Sequence, residues 1–255
     1  MDDSPLSNLV ELSHSLARPE LDYVILGEGN TSARVDDGSF WVKASGARLE
    51  NIQPDGFVQM SFPEVLELLH GPVLDDRGVK EALTRAKVDP SAPGHPSVET
   101  LLHAQLLSLD KTHFVGHTHP SAINAVACSK AFPEAFGGRL FPDEIVLCGV
   151  APLLVPYTDP GIPLARLVGK LLVEYVDRYG EPPRTVIMQN HGFIALGKTA
   201  QEVLDITAMA TKTARILAGT YTFGGPNFLS QKDVERIHTR PDERYRQMKL
   251  GLKRD

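Results

Sequence analysis

Leu164, Leu167, Val168, Leu171, Leu172, Tyr175 and Val176 fall at i, i+3, i+4, i+7, i+8, i+11 and i+12, the period of one long amphipathic helix starting near Pro163. Gly180 and Pro182-Pro183 stop it. The period then changes at once. Thr185 to Met188 and Phe193 to Leu196 are short apolar runs that read as strands on either side of Asn190-His191-Gly192. Thr199-Ala200-Gln201-Glu202 spells a capping box, which predicts a second long helix to about Ala218 with Gly219 as its C-cap. A chain that switches between these periods must bury a sheet under helices.

The same alternation runs through the earlier part of the chain. A helix is expected over Asn8 to Ala17, then β-prone runs at Tyr23 to Leu26, Thr31 to Val35 and Phe40 to Lys43. Asp36-Asp37-Gly38 joins the last two as a hairpin. Ser61-Phe62-Pro63-Glu64 opens a short helix, and Ser97 is the expected N-cap of another, with Glu99 in its first turn. Thr112 to His117 reads as a strand, Ser121 to Phe132 as a helix, and Ile145 to Val155 as β-prone up to the turn Thr158-Asp159-Pro160-Gly161. No repeat or linker divides the chain, so the expectation is one α/β domain over residues 1–255. It is mixed α/β, with a largely antiparallel sheet covered by helices, and residues 220–255 form a C-terminal arm.

Charge narrows the partners. Lys and Arg number 26 against 32 Asp and Glu, a net charge of −6, the wrong sign for binding nucleic acid or an anionic membrane through its overall field. The N-terminal stretch lacks the basic, then apolar, pattern of a secretory signal. No window reaches the roughly 18 apolar residues of a membrane span, so a cytoplasmic location is expected. Cys128 and Cys148 are too few for a disulfide framework and lack metal-binding spacing; both are expected to be buried, inert thiols.

Chemistry concentrates in a few short runs. In Phe114-Val115-Gly116-His117-Thr118-His119-Pro120, residues i and i+2 of a strand share a face, so His117 and His119 can meet one metal ion. An isolated His-x-His is more often an ordinary polar edge, but His191, in a tight turn beside Gly192, offers a third nitrogen. Three protein ligands with an open position is the catalytic zinc arrangement. Gly27-Glu28-Gly29-Asn30-Thr31-Ser32 has the look of a dinucleotide loop. It runs into a hairpin where that loop needs a helix, so it reads instead as a polar turn able to cradle an anion. Lys43-Ala44-Ser45-Gly46 is a strand entering a small polar turn, and Ser97 at a helix start is a third anion-binding candidate, with Glu99 one turn away. His14, His70, His103, His113 and His238 have no partner spacing and read as surface or satisfied core residues, while His95 sits close enough to Ser97 to line the same pocket.

Together, Gly29-Asn30-x-Ser32, Ser45-Gly46, Ser97-x-Glu99, His117-x-His119-Pro120 and Asn190-His191-Gly192 resemble the class II aldolase/adducin family in order and spacing, over roughly residues 5 to 220. Trp41 to Gly46, Pro96 to Ala104 and Gly225-Pro226-Asn227-Phe228 look most like the aldolase part of bifunctional rhamnulose-1-phosphate aldolase/dehydrogenases, without the dehydrogenase half. The resemblance implies a single-domain α/β/α fold with a central sheet, in which His117, His119 and His191 hold Zn2+ or another divalent metal and Glu99 is the acid/base. It also implies that Gly29, Asn30, Ser45, Gly46 and Ser97 hold the phosphate of a sugar phosphate. The implied reaction is cleavage of a phosphorylated ketose to dihydroxyacetone phosphate and an aldehyde through a metal-bound enediolate, in a homo-oligomer, by family habit a tetramer. One position departs: where the family often has a second hydroxyl next to Ser97, this chain has Val98, which weakens phosphate affinity or selects another acid group. Epimerases of the family carry Asp at the position of Glu99, which favours carbon-carbon cleavage here. The same frame also serves other lyases, dehydratases, decarboxylases and sugar-phosphate epimerases, while an adducin-type scaffold would have no use for an open metal site.

Overall fold

The structure, a computed structural model, describes residues 4–72 and 74–242. In chain order its elements are α1 (Pro5–Leu16), β1 (Asn30–Arg34), β2 (Ser39–Lys43), β3 (Phe57–Ser61), α2 (Phe62–His70), α3 (Asp76–Arg85), α4 (Thr100–Leu107) and β4 (Phe114–Thr118). Then follow α5 (Ser121–Ala127), α6 (Pro142–Cys148), β5 (Leu153–Val155), α7 (Ile162–Tyr179), β6 (Thr185–Met188), β7 (Gly192–Gly197), α8 (Ala200–Thr220) and α9 (Gln231–Thr239). The strands form one seven-stranded sheet in the order β3-β2-β1-β4-β7-β6-β5, antiparallel at every junction except β5–β6. The fold is a single mixed α/β domain.

Both faces of the sheet are covered, and the strands are written accordingly. On β7, Ile194 and Leu196 enter a core built with α2, α3, α4 and α7, whereas Phe193 and Ala195 enter a second core built with α1, α5, α6 and α8. A strand buried on both sides needs apolar residues at every position, which is why Phe193 to Leu196 shows no alternation. Gly180 closes α7 at φ 73°, in the left-handed region expected of a C-cap glycine. The Thr199 hydroxyl accepts the Glu202 N–H at 3.1 Å at the start of α8, and the Glu202 carboxylate accepts the Lys198 N–H at 2.6 Å. The hairpin at Asp36-Asp37-Gly38 forms with Arg34 opposite Phe40.

Several expectations are corrected. Tyr23 to Leu26 is no strand: both edges of β1 are already paired, to β2 and β4, and Ile25 and Leu26 lie exposed in a turn. Ile145 to Cys148 belongs to α6, because Pro142 in the first turn with Asp143 and Glu144 starts a helix there. Core packing then outweighs the β-propensity of Ile145 and Val146. The helix expected over Ser121 to Phe132 ends at Ala127. Helix α8 runs through Gly219 to Thr220, so Gly219 is not its cap. Helix α3, not anticipated, is capped by Asp75 and buries only Val79, Ala82 and Leu83. Ser97 is not an N-cap, since α4 begins at Thr100 with Glu99 in the cap position. Of the two thiols only Cys148 is buried, its pKa pushed up to about 12 by that burial, while Cys128 is exposed. The arm from Thr220 contains α9, which packs on α6; its residues beyond 242 lie outside the described ones.

Candidate metal centre

Strand β4 sits in the middle of the sheet and carries His117 and, just beyond its end, His119. The His119 N–H donates to the Tyr23 carbonyl at 2.8 Å, which fixes the backbone where the strand gives out. His191 comes from the loop between β6 and β7, with Asn190 in the left-handed region at φ 54°. The Asn124 amide donates to the His191 carbonyl at 3.1 Å. Gly192 lets this loop rest on the end of β4: a Cβ there would lie 2.6 Å from His119 Cδ2 and 2.8 Å from the Thr118 carbonyl oxygen. The three imidazoles therefore converge, with ring centroids 4.8, 5.0 and 5.5 Å apart.

The donor set fits a divalent metal. One nitrogen from each ring lies within 4.8 Å of the others, and His117 Nε2 and His119 Nε2 are 3.0 Å apart. Two nitrogens on one tetrahedral zinc at 2.0–2.1 Å stand about 3.3–3.4 Å from each other, so small ring rotations suffice. Burial holds His117 well below the ordinary imidazole range despite the neighbouring Glu99, and it lowers His119 as well. Neutral imidazoles are the form a metal takes.

Glu99 faces this cluster. Its Oε1 lies 3.2 Å from His191 Nε2 and 3.7 Å from His117 Nε2, and its Oε2 accepts a hydrogen bond from the Asn30 amide. Asn30 reaches it because β1 pairs with β4 so that Asn30 stands opposite His117. Burial works against the Glu99 charge but is outweighed by the His117 and His191 rings and the hydrogen bond from His191, which hold the carboxyl well below the usual carboxylate range.

Of the expected anion-binding residues, those of two separate turns, Ser45-Gly46 and Ser97, are brought together. Ala44 and Pro96 form an isolated β-bridge and the Ser45 N–H donates to the His95 carbonyl at 2.8 Å, so the Ser45-Gly46 and Ser97 turns lie side by side. Ser97 Oγ accepts the Glu99 N–H at 3.3 Å. The Asn30 side chain is turned to Glu99, a role in the carboxylate's environment that its motif did not reveal. Gly29, at φ 75°, passes so close to β4 that a Cβ would lie 2.7 Å from the His117 carbonyl oxygen.

Three residues near the centre escaped the sequence reading. Lys43 is buried, its Nζ donating to the Ala47 carbonyl at 2.7 Å, and burial lowers its pKa although Glu99 opposes the shift. His103, read as an ordinary histidine, is 1 % exposed behind Glu99. Its Nδ1 lies 2.7 Å from Ser32 Oγ, and its Nε2 has no partner among the described residues. Burial, with a smaller push from Lys43, takes His103 down to about 4 against the pull of Glu99. Glu28 Oε1 stands 3.7 Å from His119 Nδ1. For His103 the one signal was its place one helical turn after Glu99; for Lys43 and Glu28 it was adjacency to the polar turns.

The chain belongs to the class II aldolase/adducin family: the family described as Class II Aldolase and Adducin N-terminal domain matches residues 7–218. Among solved structures, the N-terminal class II aldolase domain of a conserved protein from Thermoplasma acidophilum is similar at 26% identity and a TM-score of 0.65, over 86% of this chain and 95% of that one. An L-fuculose 1-phosphate aldolase has the same fold at 18% identity and a TM-score of 0.67, over 93% and 96% of the two chains. The L-fuculose-1-phosphate aldolase of Thermus thermophilus shares it at 17% identity and a TM-score of 0.59, over 87% and 97%. No curated protein sequence matches significantly. Among the described residues, no helix is long and apolar enough to cross a membrane.

Proposed function

We propose that this protein is a divalent-metal-dependent aldolase that cleaves a phosphorylated ketose to dihydroxyacetone phosphate and an aldehyde. The observation that carries the reading is the Glu99 carboxylate 3.2 Å from His191 Nε2, on the rim of three converging imidazoles. Bound there by His117, His119 and His191, the ion, zinc in our reading, supplies positive charge against the oxygens that become negative as the carbon-carbon bond breaks.

The remaining work falls to the chain's own groups. Glu99 handles the proton on carbon: in condensation its free carboxylate takes it from the hydroxymethyl carbon of dihydroxyacetone phosphate, and in cleavage it returns it. Asn30 holds the second carboxylate oxygen, which orients the first. The turns at Gly29, Ser45-Gly46 and Ser97, with N–H groups and short side chains, hold the phosphate, and the buried Lys43 ammonium adds charge of the right sign behind them. We further propose a cytoplasmic homo-oligomer, a tetramer by the habit of its family. The complete histidine set favours an enzyme over an adducin-type scaffold.

The test is product identification after metal-loaded protein is incubated with a panel of ketose 1-phosphates. Dihydroxyacetone phosphate with an aldehyde supports the proposal. An epimer, a dehydrated product or carbon dioxide would assign the same centre to a different member of the family's chemistry.

A further inference from the structure

His119 faces two ways. Its Nε2 is turned to His117 Nε2, 3.0 Å away, and so to the centre of the cluster, which leaves Nδ1 pointing outward. A neutral imidazole that gives the Nε2 lone pair to a metal carries its proton on Nδ1, and that N–H needs an acceptor. His117 Nδ1 is buried and has no partner among the described residues, whereas the charged group opposite His119 Nδ1 is the Glu28 carboxylate, 3.7 Å away.

The backbone that carries Glu28 is built for this aim. Glu28 N–H donates to the Ile25 carbonyl at 3.0 Å and Ile25 N–H donates to Glu28 Oε2 at 3.1 Å, so the carboxylate is tied from behind with Oε1 left to face His119. The turn is closed by Leu26 at φ 54°, a left-handed conformation unfavourable for a leucine, and that residue stays 68% exposed. Neither the strain nor the exposure serves the core. Backbone strain of this kind persists where surrounding structure holds a functional geometry in place.

We infer that Glu28 is a positioning residue for the metal centre: it accepts the Nδ1–H of His119, fixes that ring's tautomer and orientation, and thereby strengthens its Nε2 as a ligand. The inference rests on the reading of His117, His119 and His191 as a metal site. The present 3.7 Å separation is longer than a hydrogen bond, and closing it by about 0.8 Å to 2.9 Å lies within reach of a side chain 38% exposed.

Zinc affinity measured by chelator competition on the full chain tests this without any assay of turnover. Wild type is expected to bind one Zn2+ per chain, Glu28→Ala to bind it about 10- to 100-fold more weakly, and Glu28→Gln, which keeps an acceptor oxygen, to recover part of the loss. Glu20→Gln removes the same charge from an exposed turn and should leave affinity unchanged. The Nδ1–H proton resonance of His119 in the zinc-loaded protein should move upfield in Glu28→Ala. Thermal unfolding of the metal-free variants should match wild type, which separates weaker binding from poorer folding. If wild type binds zinc and Glu28→Ala binds it equally well, or if Glu20→Gln weakens binding as much as Glu28→Ala does, the role of Glu28 is overturned and the metal reading stands. If wild type binds no divalent metal, both are overturned.

Discussion

Glu99 and the histidines around it make opposite demands on a mutation. Glu99→Gln keeps the shape and the acceptor for Asn30 but removes the titrating group. Bound metal should therefore be retained while turnover falls by about 10² to 10⁴, the usual worth of a positioned acid/base. His119→Ala should lose metal and activity together, read by elemental analysis of the same preparations. Near-normal turnover in Glu99→Gln would reduce Glu99 to a partner of the ring nitrogens and end the proposed mechanism. Gly192 supplies a sharper test of geometry. A methyl group there would press on His119 Cδ2 and the Thr118 carbonyl, at 2.6 and 2.8 Å, and would stand 3.2 Å from His117 Cε1. Gly192→Ala should thus weaken zinc binding by at least tenfold in chelator competition. An unchanged affinity would mean that the loop can shift without moving the ligands.

At the scale of elements, one stabilising feature was visible in the chain and another was not. The cap of α8 could be read directly, because a capping box is a local pattern; Thr199→Ala removes one side-chain acceptor and should cost about 1 kcal/mol in urea unfolding. The anchor of α6 could not. Glu144, on that helix and buried, pairs with Arg139 Nη1 at 2.8 Å and accepts the Leu140 N–H at 2.7 Å, while the remaining Arg139 donors reach the Gly149 and Cys148 carbonyls at 2.9 Å. Removing one partner of a buried pair leaves the other charge without compensation. Glu144→Ala should cost about 3–5 kcal/mol, several times the loss of the cap. Equal effects of the two variants in the same denaturation series would contradict this. The β-prone composition of Ile145 and Val146 pointed away from α6, since propensity counts only local preference, whereas the buried Glu144 and the contact with α8 are tertiary.

For the molecule as a whole, the polar residues buried beside Glu99 link folding to pH. The His103 pKa falls from 6.5 to about 4 on folding, so between these values the unfolded chain takes up a proton that the native state refuses. Stability from this group is complete above pH 6.5 and is lost progressively as pH falls towards 4, amounting to about 3 kcal/mol at 1.36 kcal/mol per unit. Unfolding of the metal-free protein by urea at pH 7, 5.5 and 4 should show this decline, and His103→Gln should flatten it. A wild-type slope no steeper than the variant's would mean that His103 titrates normally.

What the sequence determined by itself was whatever repeats or pairs over short distances. The period of α7 and the Gly180 that ends it, the hairpin at Asp36-Asp37-Gly38, the Thr199 cap and the shared face of His117 and His119 all follow from the fixed geometry of a few consecutive residues. From these came a largely antiparallel sheet covered by helices. Local chemistry had already singled out His191 and Glu99, and the family motifs added the roles proposed for them. What only the tertiary structure decided was which groups meet across the sheet: Asn30 with Glu99 through the β1–β4 register, Ser32 with His103, Glu28 with His119, and Lys43 behind them. These pairs join residues held apart in the chain by whole elements, and their contact depends on strand order, on register and on burial that favours one charge state over another. No local pattern encodes those quantities, because each arises only when the two cores close around the sheet.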